Sequence, residues 1–182
     1  MTKPPPYTAL GVEVSADRYA VWIALAGEGD RGAVVELMDP VDPFKVDAVE
    51  TITNLTRQHP VTVVAVNPHG NGATLVDPLH DRGAPLLLPD SSGMVKAWGT
   101  FHDRTVAGTL RHRGHRDLTE AVRLAVGRRT AAGAQHVDRR AARDAAPVVA
   151  AELAVYALAA GDLGPQLFVW HHDDEAELDR GR

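Results

Sequence analysis

The sequence predicts an α/β fold, a mixed sheet in which an antiparallel meander of three strands is joined by parallel strands and flanked by helices. Three observations predict it. Three β-prone runs follow one another within the first 38 residues, separated only by short turn signals. A run without polar alternation, VTVVAV at 61–66, comes directly after an amphipathic helical segment, the pattern of a strand buried on both faces and reached by a crossover. Near the end, DAAPVVAAELAVYALAA at 144–160 reads as one long apolar helix.

The meander consists of TALGVEVS (8–15), YAVWIALA (19–26) and AVVELM (33–38), with SADR and GEGDRG as the turns. The loop MDPVDP stops the strand pattern. Across 44–58 the residues Phe44, Val46, Val49, Ile52 and Leu55 fall at helical spacing, so a helix is expected over that span. After VTVVAV come the loop NPHGNG, a short helix over 73–82 and a brief strand over 85–88. Residues 91–106 and 117–129 are expected to be helical, the second with Leu118, Ala121, Val122 and Ala125 on one face. LRHRGH (110–115) and AAGAQHVDRR (131–140) are short and polar, suited to a hairpin or flap. In the last helix Asp144 is placed to cap the N-terminus, Pro147 lies in the first turn where its missing N–H costs little, and Gly161 ends the segment.

With 182 residues, 45% hydrophobic and 24% charged, the chain suits one soluble domain at 8–163, an N-terminal extension at 1–7 and a tail at 164–182. Zero cysteines exclude disulfides, thiolate catalysis and cysteine-held zinc or iron–sulfur centres, leaving oxygen and imidazole ligands for any metal. No run approaches the roughly 18 apolar residues of a membrane span, and MTKPPPY has no signal-peptide core, so an intracellular location is expected. No Gly-x-x-x-x-Gly-Lys occurs, so an ATPase phosphate loop is absent from this sequence, and DSSGM is not a nucleophile elbow.

The net charge of −5 conceals a strong asymmetry. The stretch 96–143 holds eleven of the 19 basic residues and four of the 24 acidic ones, a net of +7, which leaves −12 elsewhere.

Polar groups interrupt apolar patterns at three places. Glu13 lies between Val12 and Val14, Asn67 ends the VTVVAV run before Pro68, and Asp144 begins the long helix. A three-strand meander, a crossover helix, a further strand and a late helix form the ribonuclease H-like order, in which these three positions converge. Oxygen ligands there suit hard cations such as Mg²⁺ or Mn²⁺, and two ions about 3.5–4 Å apart can activate water and stabilise a leaving oxygen. Taken alone, Glu13 also fits a solvent-facing strand position, Asn67 a turn opener and Asp144 a helix cap.

Four segments in this order, GVEVSADRYAVWIALAG, VVAVNPHGNGATLVDPL, VAGTLRHRGHRDLTEAVRLAVGRR and VDRRAARDAAPVVAAELAVYAL, resemble the nuclease domain of the large terminase subunit of tailed bacteriophages, particularly those of actinobacterial hosts. The resemblance spans 11–158. It implies a ribonuclease H-like, divalent-metal-dependent DNA endonuclease with a two-metal site that cuts concatemeric viral DNA during packaging, in the cytoplasm of the bacterial host. The acid of the first strand falls on Glu13, where Asp is more usual; the second acid falls on Asn67, a neutral amide; the late acid falls on Asp144. Asn67 removes one negative charge, and His69, Asp90 or Asp17 are the candidates to compensate. Arg111, Arg113, Arg116, Arg128, Arg129, Arg139, Arg140 and Arg143 suit a groove for double-stranded DNA that follows the phosphates rather than the sequence. The further partners implied are an ATPase motor domain, a terminase small subunit and a portal, with no membrane. The rival readings are a catalytically impaired or inactive DNA-binding or packaging module of the same fold, or another ribonuclease H-like nuclease such as a junction resolvase.

Overall fold

A computed structural model describes residues 6–125, 127–129, 135–138 and 145–161. Six strands form one sheet: β1 (Ala9–Val14), β2 (Val21–Gly29), β3 (Gly32–Leu37), β4 (Val63–Val66), β5 (Leu86–Leu87) and β6 (Leu110–His112). Their spatial order is β5-β4-β1-β2-β3-β6. The meander β1-β2-β3 is antiparallel, while β4 runs parallel to β1, β5 to β4 and β6 to β3. Every strand except β2 therefore points the same way; the C-terminal ends of β1 and β4 lie side by side as one rim, and β6 ends four residue rows before it. In open α/β sheets such a rim is where ligands bind.

On one face lies α1 (Ala48–Gln58), whose Val49, Ile52 and Leu55 pack with Leu10, Val12, Ile23 and Val64. The helix expected over 44–58 begins four residues later because the Asp47 carboxylate accepts the N–H groups of Val49 (2.8 Å) and Glu50 (3.1 Å), a side-chain cap that fixes the first turn. Phe44 and Val46 precede that cap and are exposed. A one-turn 3₁₀ segment (Asn71–Leu75) leads into α2 (Val76–Asp81).

The other face carries α5 (Ala146–Gly161), covered in turn by α3 (Ser91–Val106) and α4 (Arg116–Leu124). Buried against the sheet on one side and helices on the other, α5 is apolar around nearly its whole circumference. The helix expected over 117–129 ends at Leu124. Gly127–Arg129 instead forms β7, paired antiparallel with β8 (Gln135–Val137), where exposed arginines gain backbone pairing without burying charge. Part of the polar LRHRGH stretch becomes β6, an edge strand that leaves Arg111 and His112 in solvent. No helix among the described residues is long and apolar enough to cross a membrane.

The α5–β1 contact depends on Gly11. A Cβ there would sit 2.1 Å from the Ala150 carbonyl oxygen and 2.3 Å from the Ala154 nitrogen, so helix backbone rests directly on strand backbone. Gly11→Ala is expected to destabilise the chain by about 3 kcal/mol or more. Gly99→Ala, in α3 with nothing within 4 Å of the new methyl, is expected to stabilise it by up to about 1 kcal/mol. Urea denaturation of both variants reads the contrast.

Tyr7, buried ahead of β1, reaches past β2 so that its hydroxyl donates to the Glu36 carboxylate of β3. Burial first, and then the Glu36 hydrogen bond and charge, push the phenol up from 10.0 to about 12. A raised folded-state pKa means that the stabilisation is complete below the unfolded value and is lost as pH climbs through the folded one. Melting curves between pH 10 and 12 are expected to lose up to about 2–3 kcal/mol in the native chain and to flatten in Tyr7→Phe.

Candidate functional site

Glu13 and Asn67 meet at the rim. Val12 pairs with Val66 in the parallel β1–β4 ladder, so the next residues along, Glu13 and Asn67, are lateral neighbours about 4.8 Å apart in backbone. Ala9, Val63 and Ala65 lie in the core cluster of α5, and side chains alternate along a strand, so Glu13 and Asn67 also face α5. Glu13 is completely buried and Asn67 is 3% exposed. One Glu13 carboxylate oxygen accepts the Val14 N–H at 3.2 Å. The Asn67 amide oxygen accepts the His69 N–H at 3.0 Å, an Asx turn that lets the chain leave the strand at Pro68.

The direction of α5 brings its beginning to this place. Gly161 lies beside Thr62 and Val63 at the start of β4, and Ala150–Ala154 cross β1 at Gly11, so the Ala145–Ala146 end points toward the rim. Asp144, the third expected site residue, lies outside the described residues, as do Arg139, Arg140 and Arg143. Among the described residues no three acidic or histidine side chains gather into a metal-ligating group. The oxygens present, one carboxylate and one amide, fit a hard cation in kind. Alone they could supply at most one negative charge.

The rim loops are tied together. The Asn71 side-chain amide donates to the carbonyls of Ser15 (2.8 Å) and Ala16 (3.3 Å), clamping the loop after β4 onto the loop after β1. In that turn Asp17 accepts the Ser15 hydroxyl (2.6 Å) and the Tyr19 N–H (3.0 Å), and these bonds, the Ser15 one foremost, hold its carboxyl below the usual range. Arg18 adopts φ = 66°, a left-handed conformation uncommon outside glycine. Asp90 caps α3 through the Gly93 N–H at 2.6 Å, and His69 is exposed. Of the three residues considered to compensate for Asn67, Asp17 and Asp90 thus already serve their own backbone.

The arginines divide by partner. Arg111 donates to the Arg31 carbonyl (3.1 Å) and Arg113 approaches Glu36 at 3.7 Å, while Arg116, Arg128 and Arg129 are exposed. Arg113 lies beside Glu36, in the row of Leu10, and the connection from β6 to α4 then reaches the Asp39 bulge at His115, next to Arg116.

Comparison with solved structures places this arrangement among known folds. The large terminase of bacteriophage HK97 superposes with a TM-score of 0.67 at 20% identity, covering 86% of this chain and 40% of that one. The large terminase nuclease of thermophilic phage G20c superposes at 0.64 and 15% identity, covering 84% and 82%. The chain has the fold of a large terminase nuclease domain. The G20c nuclease with bound magnesium superposes at 0.63 and 16% identity, covering 84% of this chain and 82% of that one. The chain spans two fifths (40%) of the HK97 large terminase. No protein-family model matches the sequence, and neither does any curated protein.

Within this terminase nuclease fold, three features had no clear signal in the sequence. Trp22 pairs directly with Glu13 across β1 and β2, yet YAVWIALA marks it only as one more apolar strand residue. Asp39 and Pro40 form a bulge: Met38 bonds Ile23 and Val41 bonds Val21, so two residues oppose Trp22. Exposed Asp39 then lies 3.7 Å from Nε2 of His115, the residue that opens α4. Glu152, 2% exposed, is the other buried carboxylate among the described residues. Helical periodicity turns it away from the Gly11 side of α5, onto the side of Tyr156, whose hydroxyl approaches Gly93 of α3.

The Asn71 clamp has a measurable consequence. Asn71→Ala is expected to cost about 1 kcal/mol. Asn71→Asp should cost more, because a carboxylate would face the two carbonyl oxygens. Chemical denaturation orders the two, and hydrogen exchange at 15–20 should rise in both.

Proposed function

We propose that the chain is a divalent-metal-dependent DNA endonuclease domain of the large terminase nuclease kind, which cuts concatemeric viral DNA as genomes are packaged. The observation that carries this reading is the pair Glu13 and Asn67, buried side by side on the α5 face at the C-terminal ends of adjacent parallel strands, at the rim toward which α5 begins. Solved terminase nucleases share the fold over more than four fifths of the chain, and the G20c nuclease is known with bound magnesium and with bound cobalt.

In this reading Glu13, Asn67 and Asp144 hold Mg²⁺ or Mn²⁺ in a two-metal site. When bound, such ions supply charge for the leaving oxygen of a phosphodiester and an activated water. Glu13 contributes the buried negative charge on β1. Asn67 offers an amide oxygen, its orientation set by the His69 N–H. Asp144 adds the second carboxylate from the segment leading into α5. Exposed Arg116, Arg128 and Arg129, with Arg111, Arg113, Arg139, Arg140 and Arg143, engage the phosphates of double-stranded DNA, giving salt-sensitive binding with little sequence preference. The unit responsible is 8–163. An ATPase motor domain, a terminase small subunit and a portal are the partners implied, in the cytoplasm of the bacterial host.

Asn67 favours a second reading, a DNA-binding packaging module with impaired cleavage, because an amide in place of a carboxylate lowers the charge on which cation affinity depends. One experiment separates the two. Plasmid cleavage with Mn²⁺, abolished by EDTA and by Glu13→Gln, supports the nuclease, whereas salt-sensitive binding without cleavage supports the module. In either case Asn67→Asp is expected to tighten Mn²⁺ binding on the order of tenfold and to raise cleavage. If neither changes, position 67 lies outside the metal site.

A further inference from the structure

The indole of Trp22 is 6% exposed, and its Nε1–H is buried with no hydrogen-bond acceptor among the described residues. A buried donor left without an acceptor costs the free energy of its lost hydration, and native proteins keep few such groups. Its position is specific. Trp22 is the direct cross-strand partner of Glu13, and its place in the α5 core cluster puts both side chains on the same face, with Cβ atoms about 5 Å apart. On its other flank the Asp39–Pro40 bulge breaks the ladder, so no β3 residue stands in simple register with it. An indole N–H can only donate. The Glu13 carboxylate is the acidic group in register with it on the same face of the sheet.

We propose that Trp22 is a positioning residue for Glu13: its Nε1–H is a donor held for one carboxylate oxygen while the other engages a divalent cation. The inference rests on the reading of this rim as a cation site. Glutamate at this position has one more rotatable bond than the aspartate that the terminase resemblance implies, so its carboxylate orientation has more to be fixed. A donor held inside the core fixes it without competing for the ligating oxygen. Groups that orient metal ligands in this way commonly change metal affinity by 10–100-fold when removed.

The test uses the full chain. The Trp22 indole N–H resonance, assigned by elimination with Trp98→Phe and Trp170→Phe, is followed as Mg²⁺ is added, and Mn²⁺ affinity is measured for the native chain and for Trp22→Phe. The expected result is a downfield shift of that resonance with slower exchange, and roughly tenfold weaker Mn²⁺ binding in Trp22→Phe. Trp22→Phe also removes buried indole volume, so its metal-free melting temperature should fall modestly, and the Mn²⁺ affinity and the resonance separate a positioning role from a structural one. A merely structural role would lower the melting temperature and leave the affinity unchanged. Mn²⁺ binding that Trp22→Phe does not weaken, or a resonance that Mg²⁺ does not move, overturns this proposal alone. Absence of Mn²⁺ binding by the native chain overturns the cation site and this proposal with it. Should Trp22→Phe fail to fold, the resonance still decides.

Discussion

The architecture depends on one contact, the seating of α5 against β1 at Gly11, where helix and strand backbones touch with no side chain between them. An ordinary helix–sheet interface is spaced by side chains and can adjust by rotamer changes. This one has little room to adjust. The depth of α5 fixes how α3 and α4 lie over it and sets its start opposite the rim. Glu13 stands two residues beyond Gly11 on the same face of the same strand. A single absent methyl group therefore links the packing of the core to the placement of its most unusual polar residue.

How much of this was legible in the sequence follows from burial. Strands β1 to β4 and helix α5 announce themselves because their side chains are buried on a regular period, and Glu13 and Asn67 stand out as breaks in that period. The ends of elements were less legible. The start of α1 is decided by the hydrogen bonds of Asp47 and not by the hydrophobic spacing that includes Phe44 and Val46. The end of α4 is decided by a backbone ladder between Arg128 and His136 that no apolar pattern encodes. β6 was obscured because an edge strand needs little burial, and Arg111 and His112 keep their charge or polarity in water. Trp22 reads as core, and it is core; only the register with Glu13 and the missing acceptor give it a further meaning.

Part of the charge asymmetry acquires a location through the chain that follows β6. The connection from β6 to α4 runs from Arg113, beside Glu36, to His115, beside the Asp39 bulge that opposes Trp22, so the chain at Arg116 reaches the level of Glu13's cross-strand partner. Of the basic residues on this connection, Arg116 is the one that this path brings toward the buried Glu13 carboxylate. The Asn71 clamp and the Asp17 turn make the rim at Glu13 and Asn67 stiff, so its geometry does not have to be assembled afresh at each encounter.

The strands at the two open edges of the sheet, Leu86–Leu87 and Leu110–His112, are only two and three residues long. A row of unsatisfied peptide groups that short is a poor template for a strand from another molecule, and the exposed Arg111 and His112 repel close stacking of a second copy on the β6 side. Main-chain augmentation, and the filament growth that follows from it, is discouraged at both ends of the sheet. Contact with another molecule at these edges then falls to side chains, which can be tuned one at a time.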